Sequence, residues 1–290
     1  MIPTMLRLLK TAVCAMLAIS PALHAAEQIS LRGSAAAAKP VTAAADQIKK
    51  DMDLEFRVVT DGGNAPAIGG MAEDVVDVAL SSRTLTARER AAWPDKNFVE
   101  QRMGMQALAV VVPEQVWASG VRALTREQLR DIYEGKITNW KTVGGGDEAL
   151  VFFNRPVGGT VWELLMIFLY EDTRKAPLNE TEVVIEASDV AVSVEFNARS
   201  ISLMEFGSFH AGRLHALGIK LPDGSVVEPT AANIASGRYS IARPLMMITA
   251  RKPSGNIRKF IEFMLGPKGQ DFVKKAGHVP NAELIEKKKP

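Results

Sequence analysis

Short runs of consecutive apolar residues alternate along this chain with longer stretches in which apolar positions return every three or four residues. Runs of the first kind are strands covered on both faces, and stretches of the second kind are helices with one buried stripe. The pattern predicts strands over 28–32, 55–60, 75–80, 106–112, 150–153, 183–186, 200–206 and 245–250. Helices are predicted over 41–52, 126–133, 161–170, 189–196, 257–265 and 268–275. Thr86-Ala87-Arg88-Glu89 and Thr125-Arg126-Glu127-Gln128 mark helix starts a second way, because each can close a capping box in which Thr and Glu or Gln satisfy orphan backbone N–H groups. Strand, polar loop and helix start recur in that order, which is how an α/β fold on parallel strands reads. Gly144-Gly145-Gly146-Asp147 is a turn or loop, and no internal repeat or Pro- or Ser-rich linker interrupts the chain.

Composition narrows the picture. A hydrophobic content of 47% over 290 residues is ample for packed cores, so disorder is not the default. Residues 1–25 stand apart: Arg7 and Lys10 lead into an apolar run over 11–20, then Pro21 and the small-residue stretch Ala22 to Ala26. This is the pattern of a secretory signal peptide cleaved after Ala25 or Ala26, with a core too short to span a bilayer, and it predicts a periplasmic protein. The one cysteine, Cys14, lies within that signal and lacks the setting of a lipoprotein cleavage site, so the mature chain is expected to carry no thiol, disulfide or cysteine-held metal. Removing Arg7 and Lys10 brings the formal charge from +2 to about zero, which argues against nucleic acid as a partner. The Lys287 to Lys289 run reads as a solvated end.

Three stretches carry a family resemblance. Leu124 to Leu129 with Gly135-Lys136-Ile137-Thr138-Asn139-Trp140, Tyr239-Ser240-Ile241-Ala242-Arg243-Pro244-Leu245, and Phe260 to Gln270 followed by Gly277-His278-Val279-Pro280 resemble the PstS-like periplasmic phosphate-binding proteins, in family order over nearly the whole mature chain. In these segments Trp140 reads as a packing residue and Arg243-Pro244 as a fixture of the return between lobes. The resemblance implies a type II periplasmic-binding-protein-like fold: two α/β lobes, 26–106 plus 245–290 and 107–244, joined by strands that cross near 105–113 and 240–247. It implies a monomeric receptor that closes around a small anion, most simply phosphate, and delivers it to an ABC permease in the inner membrane, with no cofactor, no metal and no catalysis.

A tetrahedral oxyanion can be held without metal by backbone N–H groups at helix N-termini, by hydroxyls and by a guanidinium. Four strand-to-helix loops offer such groups, and the resemblance brings them to one cleft. Arg155, Gly159 and Thr160 match the family's Arg, three residues, then Ser-Gly-Thr, with Gly158 standing where the family has serine. In the first loop Ser34 is followed by Ala35 to Ala38, which offer no hydroxyl. The second loop, Thr60 to Asn64, lacks a serine, and its Asp61 would repel a dianion unless protonated or turned away. In the third, Ser81 and Ser82 are candidate contacts; Ser82 stands where the family's aspartate accepts the proton of hydrogen phosphate, and Arg83 is either a ligand contact or a solvated ion-pair partner. The candidate ligand set is therefore Ser34, Ser81, Ser82, Arg155, Gly158, Gly159 and Thr160. His210, His215 and Glu205 do not make a zinc motif, since a five-residue spacing puts the histidines on different helical faces. Two alternatives stay open: a non-transport binding or sensing protein for another anion or an organic phosphate, and an exported phosphoester hydrolase.

Overall fold

The structure is a computed structural model that describes residues 28–175, 187–210 and 212–281. The signal segment, the strand expected over 183–186 and the lysine run at the end lie outside the described residues. In chain order the first elements are β1 (Ile29–Gly33), α1 (Ala35–Ala43), α2 (Ala45–Met52), β2 (Phe56–Val59), α3 (Asn64–Ala72), β3 (Val78–Ser81), α4 (Ala87–Ala92), β4 (Val99–Pro113), α5 (Glu114–Ala118), β5 (Ala123–Leu124) and α6 (Arg126–Tyr133). They are followed by β6 (Val151–Phe153), α7 (Thr160–Tyr170), α8 (Ala187–Phe196), β7 (Ser200–Glu205), β8 (Leu214–Lys220), β9 (Val226–Val227), α9 (Ala231–Ala235), β10 (Ala242–Thr249), α10 (Gly255–Leu265), α11 (Pro267–Lys275) and β11 (Val279–Pro280).

The strands lie in the order β2-β1-β3-β10-β4-β7-β6, with β11 and β8 also paired to β4. One strand holds the two halves together. Residues Val99 to Ala107 of β4 pair with β10, whereas Leu108 to Pro113 pair with β7 and β8. The changeover is tied at one point, where Leu108 N–H donates to Ile241 O and the buried Tyr239 hydroxyl donates to Leu108 O at 2.7 Å. One register step away, Arg243 Nε donates to Gln106 Oε1 at 2.8 Å and its Nη2 reaches Glu163 at 2.9 Å.

Alternation along the crossing strands explains why they read as unbroken apolar runs. Leu245 and Met247 of β10 enter one core with Leu31, Ile48 and Phe260, while Met246 and Ile248 enter another with Ile68 and Met71. On β4, Leu108 and Val110 face the core of Leu129, Tyr133, Trp140 and Leu165, and Ala109 and Val111 face that of Val190 and Val194. Both faces of the sheet are covered by helices, so an unpartnered polar group there is costly and apolar residues dominate.

The capping boxes at Thr86 and Thr125 form, and the helix over 126–133 has the bounds expected of it. Other boundaries move for physical reasons. The first helix starts at Ala35 rather than 41, because the alanine run has the highest helix propensity and buries Ala36, Ala37 and Ala38. Residues 74–77 form a turn with Asp74 at positive φ, so β3 starts at Val78. His215 lies on strand β8, which the pattern does not predict, stacked on Trp117 and bonded to Glu114. His210 lies in a loop and bonds Ser208 O, so neither histidine sits on a helix as the spacing argument assumed. Trp140 is a packing residue, 2% exposed, with its ring N–H on Arg199 O.

His278 is buried, and that burial pushes its pKa down to about 4. Below pH 6.5 the unfolded chain takes up a proton at this ring that the folded chain refuses. The contribution is therefore full above about pH 6.5 and declines until about pH 4, by up to about 3 kcal/mol. Urea unfolding at pH 7 and pH 4.5 should show this loss, and the loss should shrink in His278→Gln; equal losses in both proteins would rule out the histidine as its source.

Candidate functional site

Strand direction places the candidate loops. Strands β1, β2 and β3 are mutually parallel, β10 is antiparallel to β3 and β4, and β4 is antiparallel to β7, which is parallel to β6. The strands of the first half and those of β6 and β7 therefore run toward each other along β4. Ser81 pairs with Met246 at the level of Arg102, and Glu205 lies opposite Leu108. Six residues of extended strand separate those levels, about 20 Å at 3.3 Å per residue. Loops and helix N-termini from both sides fill that interval.

In the first half, Gly33 brings two loops together. A Cβ there would stand 1.7 Å from Leu80 O, so only glycine lets the end of β1 close on β3. Ser34 N–H then donates to Leu80 O at 2.8 Å. Ser34 is the N-cap of α1 and is 5% exposed, yet its hydroxyl makes no cap bond and has no hydrogen-bond partner among the described residues. The alanines after it are not a loop but the first turn of α1, so that loop is reduced to Gly33 and Ser34, and the turn offers backbone N–H rather than hydroxyl donors.

Asn64 organises the second and third loops. Its Oδ1 accepts from Ser82 N–H at 2.9 Å, and its Nδ2 donates to Ser82 Oγ at 3.1 Å. Ser81 is fully buried and its hydroxyl donates to Arg83 O at 2.7 Å, closing a tight turn. Arg83 forms a two-pronged pair with Glu89, 2.8 and 2.7 Å, which holds the Glu89 carboxyl down to about 2. Of the two roles open to Arg83, the structure places it in the ion pair. Asp61 is exposed and pairs with Arg32 Nε at 2.9 Å, which offsets its charge.

In the second half, β6 ends in the buried pair Asn154 and Arg155. Asn154 Oδ1 accepts from Arg155 N–H at 2.8 Å, and Arg155 Nη1 donates to Leu203 O of β7 at 3.2 Å, which fixes the guanidinium at the mouth of the strands. Only Pro156 and Val157 separate Arg155 from Gly158, one residue fewer than in the family's pattern. The shortened loop closes as a turn: Gly159 N–H donates to Pro156 O at 3.1 Å, and Gly158, third in the turn, has φ +80°. A positive φ at that position belongs to a type II turn and favours glycine, so Gly158 is explained by backbone geometry. Gly159 caps α7 without a side-chain bond, and Thr160 is the first helical residue.

The N-termini of α1, α3 and α7, at Ser34, Gly63 and Gly159, lack side-chain caps, as do those of α2, α5, α10 and α11; the first three follow strands that end in the interval along β4. Helices α4, α6 and α9 are by contrast capped by Thr86, Thr125 and Thr230. Lys39 of α1 bridges to the buried Glu205 at the end of β7 at 2.8 Å, tying one half to the other. Gly33, Lys39, Glu205 and the side chain of Asn64 were not legible as working groups. Only Gly33 left a trace, as a glycine closing a strand. Among the described residues no three of His, Cys, Asp and Glu gather into a set able to hold a metal ion.

A mixed sheet covered by helices, crossed by one long strand and returned by a second, with strands from both halves running toward each other, is a periplasmic-binding-protein-like fold. The sequence matches the PBP superfamily domain over residues 20–268, and the chain belongs to that superfamily. It is 26% identical over 221 residues to the phosphate-binding protein PstS of Borreliella burgdorferi, covering 74% of this chain and 76% of that one. It is 24% identical over 267 residues to the phosphate-binding protein PstS of Bacillus subtilis, covering 90% and 83%. An ABC-type phosphate transport receptor from Vibrio cholerae superposes with a TM-score of 0.68 at 25% identity, over 87% of this chain and 99% of that one.

Two substitutions separate scaffold from contact here. Gly33→Ala should cost about 3 kcal/mol or more in urea unfolding, since backbone must move to admit the methyl group. Arg83→Gln should cost about 1 kcal/mol or less and leave anion affinity within about twofold in calorimetry at physiological salt; a tenfold loss of affinity would return Arg83 to the ligand.

Proposed function

We propose that this protein is an exported, periplasmic receptor that captures an inorganic oxyanion, phosphate first, between its two halves and presents it to an ABC permease in the inner membrane. The halves are 26–106 plus 245–290 and 107–244, hinged where β4 changes partners. The observation that carries the reading is the convergence along β4 of the strands that lead into α1 and α7, with the buried, unpartnered Ser34 hydroxyl after one and the buried Arg155 after the other. Helix N-termini carry positive partial charge, and a guanidinium adds a full one, so the interval suits a compact anion. The contacts are Ser34, Ser82, Arg155 and the Gly158, Gly159 and Thr160 turn; Ser81, whose hydroxyl is engaged by Arg83 O, supports the loop. The protein works as a monomer, binds no nucleic acid and carries out no catalytic step. The relatives' phosphate-binding names support the ligand.

A second reading, a binding or sensing protein for an organic phosphate, is favoured by one feature. Val157, beside the anion turn, is 57% exposed, and a side chain at Gly158 would meet open space, so the turn leaves room for an apolar substituent.

Calorimetry of the mature protein with phosphate, sulfate, molybdate and simple phosphoesters at fixed ionic strength decides between them. Saturable phosphate binding that weakens about 100-fold in Arg155→Ala is expected, as befits loss of charge-assisted bonds to a desolvated anion. Preference for a phosphoester would favour the second reading, turnover of that ester would make the protein a hydrolase, and no heat with any inorganic anion would overturn the receptor.

A further inference from the structure

Helix α1 contains a proline in its second turn, Pro40, with Ala36 four residues before it. In an α-helix the amide of residue 40 bonds the carbonyl of residue 36, and proline has no N–H to give. Ala36 is fully buried, so water cannot replace that donor. The donor comes from the far end of the chain: His278 Nε2 lies 3.2 Å from Ala36 O. A carbonyl only accepts, so the ring carries its proton on Nε2. Burial keeps the ring neutral, and its Nδ1 is buried without a hydrogen-bond partner among the described residues.

The histidine is held by its backbone: His278 N–H donates to Val273 O at 3.2 Å and Val279 pairs with Met105 of β4, while Gly277, at φ +83°, packs so closely on Glu205 that a Cβ would stand 2.5 Å from its Oε2. The same Glu205 oxygen takes Lys39 Nζ, three residues after Ala36 on the same face of α1. The start of α1 is thus gripped at Ala36 in its first turn and at Lys39 where the second begins. That turn carries the first N–H groups of α1, which no side chain caps, and follows the Ser34 hydroxyl of the candidate site.

We infer that His278 is a positioning residue for the anion: it supplies the bond that Pro40 withholds and so holds the first turn of α1 in binding geometry before the ligand arrives. Without it the turn frays in the free protein, and the anion must order it on binding, at a cost in affinity. The effect on affinity rests on the receptor reading above; the ordering of the turn does not.

Four proteins test this: wild type, His278→Phe, His278→Gln and the double variant His278→Phe with Pro40→Ala. Inorganic phosphate affinity is read by calorimetry, and exchange of the 35–38 amides by hydrogen–deuterium measurement without ligand. His278→Phe should bind roughly fivefold more weakly, one net hydrogen bond of ~1 kcal/mol converted at 1.4 kcal/mol per decade, with faster exchange confined to that turn. His278→Gln keeps a donor and should bind as wild type. Pro40→Ala restores the backbone N–H and should rescue the Phe variant, which a role in general stability does not predict. Wild-type affinity in folded His278→Phe, or failure of the rescue, overturns the inference. Should the Phe variant not fold, nitrogen NMR of the wild-type ring decides: a protonated, slowly exchanging Nε2 is expected, and an Nδ1-protonated ring overturns it. If wild type binds no phosphate the receptor reading fails, while exchange and ring tautomer still judge the pin.

Discussion

The structure depends on β4 being one uninterrupted strand that serves two sheets. Its early residues pair with the return strand β10 and its later ones with β7 and β8, so the halves share a backbone rather than a flexible linker. Because β10 joins β3 to one end of β4 and β7 joins β6 to the other, β1 to β3 on one side and β6 and β7 on the other run toward its middle. Helices that follow them begin there, and a helix N-terminus is where backbone donors are left over. The candidate site follows from topology before any side chain is considered.

Side chains then decide which donors stay available. Helices α4, α6 and α9 satisfy a first-turn N–H group with their own threonines, Thr86, Thr125 and Thr230. At the centre the caps are Ser34, Gly63 and Gly159, none of which closes a side-chain bond to its helix. Charges beside the site are balanced locally: Arg83 is taken by Glu89, Asp61 by Arg32, and Lys39 by Glu205. Arg155, buried just after β6, is oriented by Leu203 O.

Much of the fold could be read from the sequence, and the site only in outline. The two capping boxes and the apolar run of α7 are local properties, and they predicted their helix starts closely; the strand expected over 106–112 instead begins at Val99, and the helix expected over 41–52 is two helices beginning at Ala35, because pairing with β10 and burial of the alanine run extend them. The alanine run after Ser34 looked like a loop that had lost its donors. It is a helix turn, and what appeared as missing hydroxyls is backbone N–H geometry. Gly158 looked like a lost serine, yet the shortened loop ahead of α7 needs a residue at φ +80°. Asn64 could be read only as a possible backbone N–H donor beside Gly63, and the roles of its side chain, of Lys39 and of Glu205 gave no local signal, because their partners lie 18 and 166 residues away.

By itself the sequence determined that this is an α/β protein of alternating buried strands and amphipathic helices, with Arg155 and a Gly-Gly-Thr turn ahead of an apolar helix. Those features come from periodicity, helix propensity and turn chemistry, which act over a few residues. Tertiary structure alone decided which serines keep a free hydroxyl, which charges are spent on neighbours, and how His278 comes to complete a helix that Pro40 interrupts 238 positions earlier. Such pairings are set where β4 brings distant segments within hydrogen-bond reach, and spacing along the chain carries no record of them.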